Sequence, residues 1–222
     1  KGSIQERLPG VRTLCFRSAV AGLSPWKRPV QTKDALGRRL TQQEWAADPL
    51  LAPVIRHFRV HALARLKVSS RPSAEPILLA AIKRERRSLR NREEVLDWLR
   101  DSARKRRLGF GELDFAKQTL ADQARLMAST ALFVASMGAT LLAGILLPAE
   151  AAVIALPACH KVGPGRTVTC ETEQILAACG LRWGEYPVEF DDVFYTIGRG
   201  FDFTARHDVL ESLMDQLLPG TC

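Results

Sequence analysis

Residues 126–149 run for twenty-four positions without one charged side chain, between Arg125 and Glu150. A segment of this length can span a bilayer, since a transmembrane helix needs roughly 20 apolar residues. Its composition favours another use. Ser129, Thr130, Ser136, Gly138, Thr140 and Gly144 interrupt it, and Pro148 closes it. It divides into an apolar run at 131–135, a turn at 136–139, a short helix at 140–147 and, just beyond, a second apolar run at 151–156. Strand, glycine turn, helix, strand is the pattern of a buried parallel sheet whose strands are apolar on both faces. The buried reading is preferred, and a membrane-spanning protein is kept as the alternative.

The bulk composition agrees with a folded domain: 46% hydrophobic and 25% charged in 222 residues. Thirty-two Lys and Arg against twenty-four Asp and Glu give a net charge of +8. The excess is concentrated in two clusters: Lys83, Arg84, Arg86, Arg87, Arg90 and Arg92, then Arg100, Arg104, Lys105, Arg106 and Arg107. Such a field attracts phosphate. The second cluster reads as a solvated helix face. No aromatic is interleaved with either, so a nucleic-acid partner is not expected. Of the five cysteines, Cys159 and Cys170 flank a Gly/Pro-rich loop. They form a disulfide in an oxidising compartment or remain buried thiols, and spacing leaves both readings open. Two Cys and one His (His160) lack the paired spacing of a zinc site, and no metal is expected.

Proline and glycine break every period in residues 1–49, where only 11–16 has the form of a strand. This stretch reads as the remnant of an upstream domain and a connecting segment. No signal core follows Lys1. From residue 50 the chain alternates. A helix is expected at 50–66 with Leu51, Val54, Ile55, Phe58, Ala62 and Leu66 on one face, then a buried strand at 76–82. Asn91 and Glu94 have the spacing of an N-cap and its N3 partner. A strand at 111–115, a helix at 119–129 and the two core strands follow. The expected order ends with a loop at 157–166, a helix at 171–179 stopped by Gly180, a strand at 181–188 and a helix at 206–218. Strands alternating with helices predict an α/β doubly wound parallel sheet over residues 50–222.

Ligands of such sheets bind beyond the carboxyl ends of the strands. Two loops suit that. Residues 83–91 carry guanidiniums whose forks match phosphate oxygens, and the turn at 136–140 holds Gly138, which permits close backbone approach. Taken alone, the first is also a solvated arginine cluster and the second a tight core turn. No catalytic set follows from spacing. His57, His61, His160 and His207 are scattered, and Asp191 with Asp192 reads as a loop edge.

The order of these segments resembles glycosyltransferase family 61, which includes the EGF-domain-specific O-GlcNAc transferase and plant xylosyl- and arabinosyltransferases. Cys15 and Phe16 precede a small-residue stretch ending at Gly22 and Leu23. A strand then ends in Arg84, followed by Arg87, Asn91 and Glu94. Gln123, Arg125 and Met127 match a helix ahead of the family's His-Gly-Ala turn, here Met137, Gly138 and Ala139. Leu146 with Pro148 and the strand at 153–156 complete the likeness.

The resemblance implies the C-terminal, nucleotide-sugar-binding half of a GT-B glycosyltransferase, with Rossmann-like architecture. It implies inverting, metal-independent transfer of a sugar from a nucleotide-sugar donor, taken as uridine-linked, to a glycan or protein hydroxyl, with no further cofactor. Arg84, Arg87, Asn91, Met137, Gly138 and Ala139 would contact the donor. The Golgi or endoplasmic reticulum lumen would house it, held by an upstream membrane anchor. Three positions depart from the pattern: Met137 replaces the turn His, Ala143 an Asn and Ala155 a strand-end Glu. They suggest as a second reading a binding module that has lost turnover. The catalytic base is not assigned.

Overall fold

A computed structural model of the chain describes residues 51–69, 73–84, 89–161, 168–171, 176, 180–196 and 200–218. The strand expected at 11–16 and the connecting segment lie outside these residues, as do Arg86 and Arg87. The first described element is α1 (Leu51–Arg65). It is followed by β1 (Ile77–Ala81), α2 (Arg92–Lys105), β2 (Gly109–Glu112), α3 (Leu120–Ala128) and β3 (Thr130–Ser136). The chain then makes α4 (Ala139–Leu142), a 3-10 turn at Ala143–Leu146 and β4 (Ala152–Leu156). Next come β5 (Ala158–Lys161), β6 (Val168–Glu171), β7 (Arg182–Glu185), β8 (Val193–Thr196), β9 (Gly200–Phe203) and α5 (His207–Leu217).

Five strands form one parallel sheet in the order β2-β1-β3-β4-β7. The uncharged segment at 126–149 is therefore the end of a helix, a core strand and a turn. No helix among the described residues is long and apolar enough to cross a membrane, which removes the spanning alternative for this segment. Because strand side chains alternate faces, β1, β3 and β4 feed two separate cores. Leu78, Ala80, Leu132, Val134, Ala152 and Ile154 pack with Val95, Leu96 and Leu99 of α2 and Leu210 and Met214 of α5. Leu79, Ala81, Phe133, Ala135, Val153 and Ala155 pack on the opposite face with Met127 of α3 and Ile55 of α1. Both faces of the sheet are covered, as its composition requires.

Several boundaries moved for identifiable reasons. The strand expected at 111–115 lies earlier, at Gly109–Glu112. A Cβ at Gly109 or Gly111 would come within 3.0 or 3.2 Å of Ile77 or Leu79, so the glycines are what let β2 close on β1. The inward face of α1 is rotated from the expected stripe. Leu63 is fully buried against Ala124 and Ala128, while Phe58 is 50% exposed. The expected helix at 171–179 does not start where the sequence suggests, because Glu171 ends a strand and most of the segment lies outside the described residues. Gly180 has φ +74°, the left-handed conformation its expected position after a helix requires.

A second, antiparallel sheet of order β6-β5-β9-β8 was not anticipated. It begins one residue after β4, past Pro157, inside the segment expected to be a loop. Cys159 and Cys170 are directly paired across β5 and β6 and joined by a disulfide, which decides between the two open readings. The two sheets are stitched by the segment preceding α2. Leu89 bridges to Phe203, and Arg90 N–H donates to the Phe203 carbonyl at 2.9 Å.

Asn91 sits at the N-cap position of α2 but makes no capping hydrogen bond. Its amide instead donates to the Ala205 carbonyl at 2.8 Å and accepts from the Ala205 N–H at 3.0 Å. Replacing it strands a donor and an acceptor in a half-buried seam, each costing on the order of 1–3 kcal/mol when left unpaired. Asn91→Ala should therefore lower the urea midpoint by an amount matching about 2 kcal/mol. An unchanged midpoint would show that water replaces both bonds.

Candidate functional site

The strand order contains one reversal. From β1 the chain crosses outward to β2, returns over β1 to β3, and then continues away through β4 to β7. Crossovers diverge to opposite faces between β1 and β3, and it is outside the carboxyl ends at such a reversal that open α/β sheets have their ligand crevice. Register fixes what emerges there. Ala81 pairs with Ala135 in parallel, so the residues following β1 and β3 leave the sheet side by side.

From β1 come Ile82, Lys83 and Arg84; from β3 come Ser136, Met137, Gly138 and Ala139. Lys83 is bonded to the opposing turn twice. Its N–H donates to the buried Ser136 hydroxyl at 3.2 Å, and its ammonium donates to the Met137 carbonyl. Met137 N–H in turn donates to the Leu156 carbonyl of β4 at 2.8 Å. Gly138 has φ +101° and ψ −151°, a region open essentially to glycine alone. A Cβ there would also lie 3.0 Å from the Lys83 ammonium.

Arg84 points the other way along the sheet edge. It is 59% exposed, and its Nη2 donates to Glu112 Oε1 at 3.3 Å, at the tip of β2. Arg92 reaches the same carboxylate from beneath. Its side chain is only 8% exposed, its Nε donates to the Ile82 carbonyl at 3.1 Å, and its two terminal nitrogens pair with Glu93 and Glu112. On the loop after β2, Asp114 is held below the usual carboxylate range, first by the Ala116 N–H and further by Lys117 and Arg84. The rim on the β2 side thus carries both signs of charge.

Of the residues expected to contact a donor, Arg84, Met137, Gly138 and Ala139 share one edge of the sheet. Met137 and Gly138 are half-buried and Ala139 is exposed. Asn91 directs its amide to Ala205, and Arg87 lies outside the described residues. Lys83 was one of six cations in its cluster and was not singled out. Its neighbourhood to Gly138 was hidden because strand register, not spacing, creates it. Ala155, where the resemblance places a Glu, is fully buried in the core containing Phe133.

A cleft of about 450 Å³ lies further along the same edge, beyond β4 and β7. Pro157, Glu185, Tyr186 and Val193 line it together with Cys170 of the disulfide. Burial pushes the Tyr186 phenol up, and its oxygen accepts from the Arg206 N–H at 2.8 Å. The second basic cluster, expected to be a solvated helix face, divides. Arg100 and Arg104 pair with Asp97 and Asp101 on their own helix, whereas Arg106 is drawn onto α5 by Glu211 and Asp215. His57 and His61 are exposed, and His207 stacks on Trp98 at 5.2 Å. Among the described residues no group of three His, Cys, Asp or Glu could hold a metal ion.

Gly138→Ala should cost about 1–3 kcal/mol in thermal or denaturant unfolding, from the forced φ alone. It should also displace the Lys83 ammonium. Wild-type stability in this variant would mean the turn relaxes without strain.

No curated protein matches the chain. A family model, Glycosyltransferase 61, matches residues 38–154, just over half of the chain and the whole span from β1 to the crevice turn. With the reversal point, the strand-end cations and the glycine turn all inside the matched span, the chain belongs to glycosyltransferase family 61.

Proposed function

We propose that this chain binds a uridine-linked nucleotide-sugar and transfers its sugar, with inversion and without a metal, to a hydroxyl of a glycan or protein. One observation carries the reading: the reversal point of the parallel sheet brings the cationic tip of β1 against the glycine turn after β3. In such a transfer, charge builds on the leaving diphosphate, and fixed cations that meet it lower the barrier. Arg84, at the rim beside Glu112, would take that role, with Arg87 following it in sequence. Met137, Gly138 and Ala139 form the opposite wall, and Asn91 steadies the segment between them through Ala205. The acceptor hydroxyl attacks the anomeric carbon as the bond to the diphosphate breaks, and its proton passes to a base outside the assigned residues.

Residues 50–222 are then the donor half of a GT-B enzyme, with 1–49 as the remnant of the other half and its connection. The Cys159–Cys170 disulfide supports an oxidising compartment such as the Golgi or endoplasmic reticulum lumen, reached through an upstream membrane anchor. The second reading, a module that binds without turnover, is favoured by Met137, Ala143 and Ala155. None brings a titratable group to the crevice, and Ala155 is sealed in the core.

Titration of uridine diphosphate into the full chain and into Arg84→Ala tests the clamp. Removing a charge-assisted contact worth about 1.5–3 kcal/mol should weaken binding by about tenfold or more. Equal affinity in the two proteins rejects Arg84 as a donor contact. Release of free sugar from a uridine-linked donor, or its transfer, separates the enzyme from the module.

A further inference from the structure

Among the described residues, the cation bonded to the glycine turn is Lys83, not Arg84. Beyond the tip of β1, Arg84 turns to Glu112 on β2 and Lys83 to Met137 after β3. The Lys83 main chain is fixed by the buried Ser136 hydroxyl, so its side chain starts from a set position. Its ammonium then lies where a Cβ on residue 138 would touch it. Glycine at 138 is therefore matched to a lysine at 83 in the same crevice.

We infer that Lys83 is a phosphate-binding residue of the crevice, its ammonium meeting the diphosphate of the donor at the floor between β1 and β3. This rests on the donor reading above and assigns the contact that reading leaves open on the β3 side. The turn itself presents Met137, an uncharged thioether, and among the described residues Lys83 brings positive charge to that wall. An ammonium is a compact point charge with three donors, suited to oxygens that arrive from several directions. Its bond to the Met137 carbonyl holds it in place before an anion arrives, limiting the side-chain entropy lost on binding.

The test uses the full chain with uridine diphosphate, inorganic pyrophosphate and uridine as probes. Lys83→Met should weaken uridine diphosphate and pyrophosphate alike by about tenfold, while Lys83→Arg keeps most of the affinity. The affinity remaining in Lys83→Met should also depend less on salt. Because Lys83→Met removes a turn contact and could impair folding, lysine acetylation of the wild-type chain, read by peptide mass spectrometry, gives an independent measure. Uridine diphosphate and pyrophosphate should slow acetylation of Lys83, and uridine should not. If the wild type binds no diphosphate, the donor reading fails and this inference fails with it. If it binds, and Arg84→Ala weakens it, but Lys83→Met binds equally or Lys83 is acetylated at the same rate with and without diphosphate, the inference alone is overturned and Lys83 merely ties down the turn.

Discussion

Three strands of the parallel sheet offer no charged side chain to either face, and that constraint governs the rest. β1, β3 and β4 can be stable only with both faces covered, so they must be interior and flanked by helices on two sides. Parallel pairing is how short crossovers achieve this. It aligns every strand's carboxyl end along one edge of the sheet. The register of β1 with β3 then leaves no freedom about which residues meet beyond the sheet. A slip of one residue would turn Leu79 and Phe133 out of their core and into the other. The chemistry of the crevice is in this sense a by-product of packing, since the same methyl groups that fill the cores decide where Lys83 and Gly138 lie.

The arginine-bearing segment after β1 is long and highly charged, yet it is anchored on both flanks. On the near side, Arg92 places a guanidinium under the sheet edge. Burying that charge is costly unless every donor finds a partner. Its contacts with the Ile82 carbonyl, Glu93 and Glu112 engage each of its three nitrogens, and in doing so tie the tips of β1 and β2 to the start of α2. On the far side, Leu89, Arg90 and Asn91 bind the backbone that runs from β9 into α5. The second sheet thus acts on the crevice indirectly, by fixing where the loop returns.

The parts of the fold visible in the sequence are those with a strong local period or a specific terminator. The apolar runs at 77–81, 131–135 and 152–156 had no other stable use, and Thr119, which accepts from the Asp122 N–H at 3.2 Å, marks the start of α3 as its residue type suggests. The antiparallel sheet was illegible because strands of four residues show at most two alternations, and the buried Asp202 breaks the apolar pattern of β9. Asn91 misled in an instructive way. Its side chain has equal use for an N-cap or for a peptide group brought from 114 residues away, and only the tertiary structure selects the second. The site was legible as two loops facing each other beyond the strand ends, but the residue that meets the turn was not, because six neighbouring cations carry no mark of which one turns toward β3.

Polarity is divided unevenly between the two sides of the crevice. Met137 and Ala143 place no charge in the segment after β3, and Ala155 closes the end of β4 with a core methyl. The wall built by β3 and β4 therefore offers an anion backbone groups and little else. The wall built by β1 and β2 is dense in charge, with Lys83, Arg84 and Arg92 against Glu112 and Asp114. A carboxylate shared by two guanidiniums keeps both oriented while leaving that side of the crevice with net positive charge. Electrostatic recognition of a diphosphate depends on the summed field and tolerates which strand supplies it. On the proposed donor reading, a wall poor in charged side chains is compatible with diphosphate binding so long as the opposite wall holds its cations in place, as the buried Arg92 does through Glu112.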